Sequence, residues 1–398
     1  MTVQDLNFLK STAGSEILKR YESFKDEDLY RLLFKSVGLP AEKWLPSVVT
    51  LIKLRRQAAK KFTRAKELFF TTLGLEQATS EVVAEQIAAR FPSNWKVVDL
   101  TCGLGGNLIF LAKQCRQLVG VDQSAVNIAC ARENARVYEV SNKIELITGD
   151  AYSNILPDAD AFFLDPARDR EGHSKTRSIL NSEPELLKIL PEIFKITHNV
   201  GVKISPAFDY RELEALPERP EIEIISEDNT CKVAMLWFGK LKTVERRATC
   251  LISGKKYEFV NNPELSPIQI CETDPVYLYE PNKAISKAHL LAEVALTENL
   301  FKLDPYLSFL TGARLIGDSQ PGLWRRFKVL NSGHFSLKEL KKFLKEKNII
   351  QANIIAKHFP LLPDELLARL KLKEGGDFFL ILVTLNKKVR RFFWTQRV

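Results

Sequence analysis

Between Trp95 and Gly239, short runs of β-branched and apolar residues alternate with stretches of helical spacing. The runs are KVVDLT, QLVGVD, KIELITG, ADAFFLD, VGVKIS, EIEIIS and CKVAMLWFG. Strands that alternate with helices predict a parallel sheet with crossover connections. Seven of them predict an α/β fold with a Rossmann-like, doubly wound sheet. The last two runs are joined by EDNT, too short for a crossover helix, so they are expected to pair antiparallel at one edge.

The flanks read differently. Residues 1–92 are expected to be helical, because DEDLYRLLFKSVG and ATSEVVAEQIAARF place apolar residues three and four apart. Between them, Lys53, Arg56, Lys60 and Arg64 would share one face of a continuous helix. That face is either solvated or a contact for RNA phosphates. Beyond Lys240 the chain is mixed. Its tail reads strand, helix, strand, helix, strand, strand from RRFKVL to KKVRRFFWTQRV, and no internal repeat is visible. The aromatics of RRFFWTQRV suit core packing better than base stacking, though both fit a strand's period.

A chain of 398 residues is too long for one ordinary core. With 45% hydrophobic and 27% charged residues it reads as globular, and no run is long enough to span a bilayer. MTVQDLNFLKS lacks the pattern of a secretory signal, which makes the cytoplasm the expected compartment. The six cysteines show no C-x-x-C spacing, and the five histidines do not cluster with them, so no metal site is expected. His173 and His289 have no visible partners and receive no role. The net charge of +9 is unevenly spread. Residues 240–398 hold 27 Lys and Arg against 16 Asp and Glu, a net +11, and the rest hold 31 against 33, a net −2. A basic C-terminal part suits a polyanionic partner.

The stretch VVDLTCGLGGN carries the chemistry. Glycines between a strand and a helix let backbone pass close to a ligand, beside the unpaired N–H groups of a helix start. A nicotinamide dinucleotide asks for G-x-G-x-x-G. Here Gly103, Gly105 and Gly106 are present, but Leu108 stands at the third-glycine position. S-adenosylmethionine needs no pyrophosphate site and fits better. Asp99 at the first strand end would face the methionine ammonium, and Gly103 and Gly105 give clearance. Asp122 at the second strand end would bond ribose hydroxyls, and Asp150 after the third would accept from the adenine amino group. Thr101 and Ala151 belong to the same two turns. Upstream, Gln77 and Thr79 stand before a helix, where Thr79 or Ser80 either caps it or closes over the cofactor. The fourth strand ends in FFLDPAR. Asp165 and the Pro166 carbonyl would accept two N–H bonds from an exocyclic amine, and Arg168 would hold a phosphate or stack on a base.

At LEQAT, DLTCGLGG, VGVD, GDA, LDPAR, VKISP, LWFG followed by RRA, and YEPNKAISKA, the chain resembles class I SAM-dependent methyltransferases. More closely it resembles the bacterial family with a C-terminal THUMP-like domain. DLTCGLGGNLIFLA is also similar to RNA cap guanine-N2 methyltransferases of the trimethylguanosine synthase type. The resemblance implies cofactor contacts at Asp99, Gly103, Asp122 and Asp150, an active-site Asp165, and an RNA substrate through THUMP. It implies four parts: a helical region at 1–92, a methyltransferase domain at 93–240, connecting strands with a ferredoxin-like piece at 241–325, and a THUMP-like unit at 326–398. The family often continues its active-site motif with a second arginine, where this chain has Asp169. Amino-methyltransferases usually carry an aromatic residue where Arg168 stands. The sequence therefore points to an RNA methyltransferase. A methyltransferase acting on a small molecule or protein, and a catalytically silent RNA-binding protein, are the alternatives.

Overall fold

The computed structural model describes residues 1–35, 42–151, 156–168, 178–179, 182–317 and 322–398, with the side chains of 34, 35, 42, 167 and 168 also left aside. The chain forms two compact units. The first is Met1–Ile222 with Val233–Thr243, and the second is Glu223–Lys232 with Val244–Val398.

The first unit opens with six helices: α1 (Val3–Leu9), α2 (Thr12–Tyr21), α3 (Asp26–Lys35), α4 (Leu45–Ala58), α5 (Thr72–Gln77) and α6 (Glu81–Ala88). An alternating pattern follows: β1 (Lys96–Asp99), α7 (Leu108–Gln114), β2 (Gln117–Asp122), α8 (Ala125–Val137), β3 (Ile144–Thr148), β4 (Ala161–Leu164), a short ribbon of β5 (Ala167–Arg168) and β6 (Ser182–Glu183), α9 (Leu186–Phe194) and β7 (Val200–Ile204). Pairing is parallel between β3 and β2, β2 and β1, β1 and β4, and β4 and β7. The chain thus winds outward from β1 in one direction and then in the other. The crevice at the carboxyl ends of β1 and β4 is the switch point where open α/β sheets bind ligands. Val97, Val98, Leu118, Val119, Phe162, Phe163, Val200 and Val202 are buried, as expected of parallel strands covered on both faces.

The last two runs become β8 (Glu221–Glu227) and β9 (Thr230–Trp237). They are neighbours in one sheet and are joined by Asp228 and Asn229, both at positive φ, the conformation that tight hairpins require. The expected hairpin is therefore present, but it is not the edge: the sheet has nine strands, and two more strands from residues 246–260 continue it beyond β8. Its inner half, Val233–Trp237, pairs antiparallel with β7. All seven expected strands are formed.

The helical region packs into the same unit as the sheet. Its core includes Leu6, Val48, Ile52, Phe62, Phe70 and Leu75, and it extends to Leu104 of the glycine turn and Cys130 of α8. The basic stripe is not one helical face, because α4 ends at Ala58, before Lys60 and Arg64. Its cations tie the region together. Arg56 binds Asp26 at 2.5 Å, and Arg64 binds Glu67 at 2.8 Å and the carbonyl of Val137. Lys53 donates to the Tyr30 hydroxyl. Three of the four cations, Lys53, Arg56 and Arg64, thus have partners within this unit.

The second unit contains the hairpin tip, a hairpin of β10 (Arg246–Ile252) and β11 (Lys255–Val260), and a second sheet. That sheet is built from β12 (Tyr277–Pro281), β13 (Phe301–Lys302), β14 (Leu310–Gly312), β15 (Trp324–His334), β16 (Asn353–Lys357), β17 (Phe378–Leu385) and β18 (Val389–Arg397). The strand order is β13-β14-β12-β15-β18-β17-β16. Helices α10 (Lys283–Lys287), α11 (Leu291–Thr297), α12 (Leu337–Glu346) and α13 (Pro363–Leu370) accompany it. Every tail element read from the sequence is formed. Pairing of β12 with β15 joins β13, β14 and β12 to the tail strands in one sheet. Phe392, Phe393 and Trp394 are buried, so the aromatic stripe of β18 is core.

One buried ion pair closes the first unit. Arg90 donates from Nη1 and Nη2 to the two oxygens of Glu221, at 3.0 and 2.9 Å, and lies 5.1 Å over the Trp237 ring. Glu221 is fully buried. Arg90→Ala leaves that carboxylate without its cation and should cost about 3–5 kcal/mol. Urea unfolding checks this, and a loss below about 1 kcal/mol would put the pair among screened surface contacts.

Candidate active site

Three acids stand where the sequence places them. Asp99 ends β1, Asp122 ends β2, and Asp150 lies two residues beyond β3. Between the first two lies the turn 100–107, where the Leu100 N–H donates to the Phe163 carbonyl and the Cys102 N–H to the Val121 carbonyl. Gly103 and Gly105 have φ of 53° and 88°, a region that side chains disfavour. A Cβ on Gly103 would meet nothing within 4 Å, so that backbone faces open space. A Cβ on Gly105 would press on Ile109 at 3.3 Å and Ala131 at 3.5 Å, so this glycine serves helix packing.

Each acid is held differently. Asp122 accepts from the N–H of Gly103 at 2.9 Å, the N–H of Ser124 at 2.8 Å and Asn127 Nδ2 at 3.1 Å. A carboxylate has about four acceptor positions, so one remains for a ligand. Asp165 follows β4. Its N–H donates to Thr101 Oγ1 at 2.6 Å, and Lys203 of β7 donates to its Oδ2. Asn107 Nδ2 lies 3.5 Å from the same oxygen. Asp99 is only 1% exposed and accepts one bond, from the N–H of Thr101 at 3.1 Å. Burial raises its carboxyl to about 8. Asp165 and Asp122 add repulsion, while the Thr101 N–H and the Lys203 ammonium oppose the rise.

Three buried side-chain oxygens here have no hydrogen-bond partner among the described residues: Asp99 Oδ2, Thr79 Oγ1 and Asn107 Oδ1. Buried polar atoms are normally satisfied, so each asks for a ligand or water. Asp99 asks for a cation, which would restore its charged form. S-adenosylmethionine carries such a cation on its amino acid part, and this donor set fits it.

The other sequence candidates fall around this centre. Thr79 is buried between α5 and α6, its N–H 3.9 Å from where a Gly106 Cβ would lie, and Ser80 rather than Thr79 takes the N-cap position of α6. Gln77 is exposed at the end of α5, Asp150 is exposed, and Ala151 is buried. Pro166 follows Asp165 at the strand end. The Arg168 side chain and the loop carrying Asp169 and His173 lie outside the described residues. Two polar residues were not singled out from the sequence. Lys203 is the one charge in VGVKI, a run otherwise apolar and buried, and that anomaly was the available signal. Asn107 ends the glycine stretch and shows no such signal.

A family model described as RNA cap guanine-N2 methyltransferase matches residues 95–205. That span holds Asp99, Thr101, Gly103, Asn107, Asp122, Asp165 and Lys203. An uncharacterized S-adenosylmethionine-dependent methyltransferase of Mycobacterium tuberculosis is 29% identical over 351 residues, covering 86% of this chain and 93% of its own. The chain is an S-adenosylmethionine-dependent methyltransferase. A second model, described as THUMP domain-like, matches residues 324–397 of the methyltransferase. A crystal structure from Porphyromonas gingivalis W83, assigned provisionally as a methyltransferase, superposes with a TM-score of 0.79 over 100% of both chains. At 22% identity it establishes a shared fold. Trimethylguanosine synthase of Saccharomyces cerevisiae is 37% identical over 67 residues, 17% of the methyltransferase and 21% of its own length.

Asp99 gives the ligand-free methyltransferase a pH signature. Its carboxyl rises from an ordinary 3.8 to about 8 on folding. A raised value means stability is full below the unfolded pKa and is lost as pH rises towards the folded one. Wild type should therefore lose stability relative to Asp99→Asn between about pH 4 and 8, then level off. Thermal unfolding of both proteins across that range checks it. A pH-independent difference would show that Asp99 titrates normally.

Proposed function

We propose that this methyltransferase modifies a nitrogen on a base of RNA, with the C-terminal segment docking the RNA backbone. The observation that carries the reading is charge. Residues 324–398 hold 17 Lys and Arg against 6 Asp and Glu, a net +11, more than the +9 of the whole chain. Phosphate neutralisation is the largest general term in nucleic-acid affinity. The THUMP-like match falls on that same segment, and the name of the family matching residues 95–205 refers to guanine-N2 of RNA. Cytosolic residence accompanies the reading: the six cysteines are free, and among the described residues no helix is long and apolar enough to cross a membrane.

In this reading Asp99 holds the cofactor's ammonium, Asp122 a ribose hydroxyl, and Asp150 with Ala151 the adenine. Thr79 and Gln77 close the methionine end, and Gly103 gives clearance. Bound S-adenosylmethionine supplies an electrophilic methyl group. Asp165 and the Pro166 carbonyl accept the two N–H bonds of the target amine, turning its lone pair towards that methyl. Lys203 and Thr101 fix Asp165 in place. A carboxylate beside an ammonium complements guanine, whose pairing edge sets two N–H donors beside a carbonyl. Adenine and cytosine set a ring-nitrogen acceptor where the carboxylate would repel it. Arg168 is assigned to a flanking phosphate.

The function test is transfer from isotope-labelled S-adenosylmethionine into RNA, protein and metabolite fractions of a strain lacking the gene. Label in RNA is expected, with nucleoside mass spectrometry naming the base. Label confined to protein or metabolites would install the alternative substrate class.

Asp165→Asn and Lys203→Met should each lower turnover by at least about a hundredfold, the scale of one preorganised polar group. Calorimetric cofactor affinity should stay within about threefold of wild type, since neither residue is assigned to the cofactor. Retained turnover in both variants would remove the pair from the chemistry.

A further inference from the structure

The second unit holds a cleft of about 780 Å³ that the catalytic reading does not use. It lies between the end of α12 and strands β15, β17 and β18. One wall is aromatic. Phe378 lies parallel on Trp394, with ring centroids 5.3 Å apart at 8°, and Phe343 meets Trp394 edge-on at 6.4 Å. Trp394 covers one face of the Phe378 ring, yet Phe378 remains 38% exposed. Leu330 and Ile350 border the same cleft and are 45% and 72% exposed. Exposed apolar side chains gathered at one place mark a binding surface.

The backbone is shaped to make this cleft. Val329 pairs with Thr395, and Asn331 with Trp394, so Leu330 is an extra residue in the ladder. Such a bulge re-aims the side chains around it. Asn348 is at φ 52° and Gly376 at 78°, and both line the cleft. Asn331, Asn348 and Asp377 supply amide and carboxylate groups beside the apolar wall, and Lys347 stands on the rim.

The surrounding charge selects the occupant. The helix that ends at the cleft is basic, with Lys338, Lys341, Lys342, Lys345 and Lys347 exposed against Glu339 and Glu346, which suits an anion, while the wall suits a flat apolar face. An unpaired nucleotide brings both, with a polar base edge for the amides. Proteins read single-stranded RNA by stacking splayed-out bases on aromatic rings and bonding their edges. A fully paired duplex keeps its bases stacked inside and cannot fill the cleft. We propose that this cleft takes an unpaired base of the RNA substrate, stacked on the open face of Phe378 with its phosphate towards Lys347. The proposal rests on the RNA reading above.

Full-length protein is titrated, by fluorescence anisotropy, with a fluorescein-labelled short single-stranded RNA and with a blunt, fully paired RNA of equal length. The single strand should bind more tightly. Phe378→Ala and Ile350→Glu should each weaken single-strand binding about tenfold, the scale of one base–aromatic stack. Duplex binding and calorimetric affinity for S-adenosylmethionine should not change. An iodouridine-substituted single strand should photocrosslink to Phe378 or Trp394. Unchanged single-strand affinity in Ile350→Glu, whose side chain is solvent-facing and not needed for folding, would overturn the cleft assignment, as would a crosslink elsewhere. Either result leaves the RNA reading standing. Failure of wild type to bind either RNA overturns both and makes an acidic peptide the occupant to test.

Discussion

Carboxylates crowded at the ends of neighbouring parallel strands repel one another, and the site follows from how that repulsion is relieved. Asp122 is surrounded by N–H donors, one from the glycine turn itself. Asp165 has an ammonium from the next strand. Asp99 has a single N–H and is fully enclosed. The relief is therefore uneven. Two acids are satisfied by the protein, and one is left to be satisfied by what binds. The same bonds shape the turn, because Gly103 reaches Asp122 and Thr101 reaches both Asp99 and Asp165. Electrostatic compensation and backbone geometry are one arrangement here.

Much of this was legible because parallel strands buried on both faces write continuous apolar runs, and their ends carry isolated polar letters. KVVD, QLVGVD and AFFLD each announce a strand and a terminal acid in one reading. Lys203 was not legible in the same way. Its meaning depends on a partner 38 residues earlier, on the neighbouring strand, and local pattern does not report which strands lie side by side. The basic stripe failed for a related reason. Spacing of three and four assumes an unbroken helix, and α4 stops at Ala58. Arg56 and Arg64 then bond to carbonyls and acids that no periodicity marks.

In the C-terminal tail the period of the elements was readable, but the sheet's extent was not. β12 joins β15 through a pairing between residues about fifty apart, so the tail is part of a larger sheet. The bulge at Leu330 is equally silent in the sequence, since an inserted residue in a strand looks like any other residue. The aromatic stripe of β18 is core, and the exposed ring stacked on it is Phe378, on the strand before it.

The chain passes between its two units three times, after Ile222, after Lys232 and after Thr243. Two modules fused end to end would share one crossing. Here the outer half of a methyltransferase hairpin is invested in the second unit, where Thr249 donates to the buried Glu223 at 2.5 Å and Ser226 to Asn282 at 2.8 Å. Recombination at a single breakpoint cannot trade either unit for another without stranding those groups. Point change within each unit separates none of these partners, so the shared hairpin favours it over exchange of a whole unit.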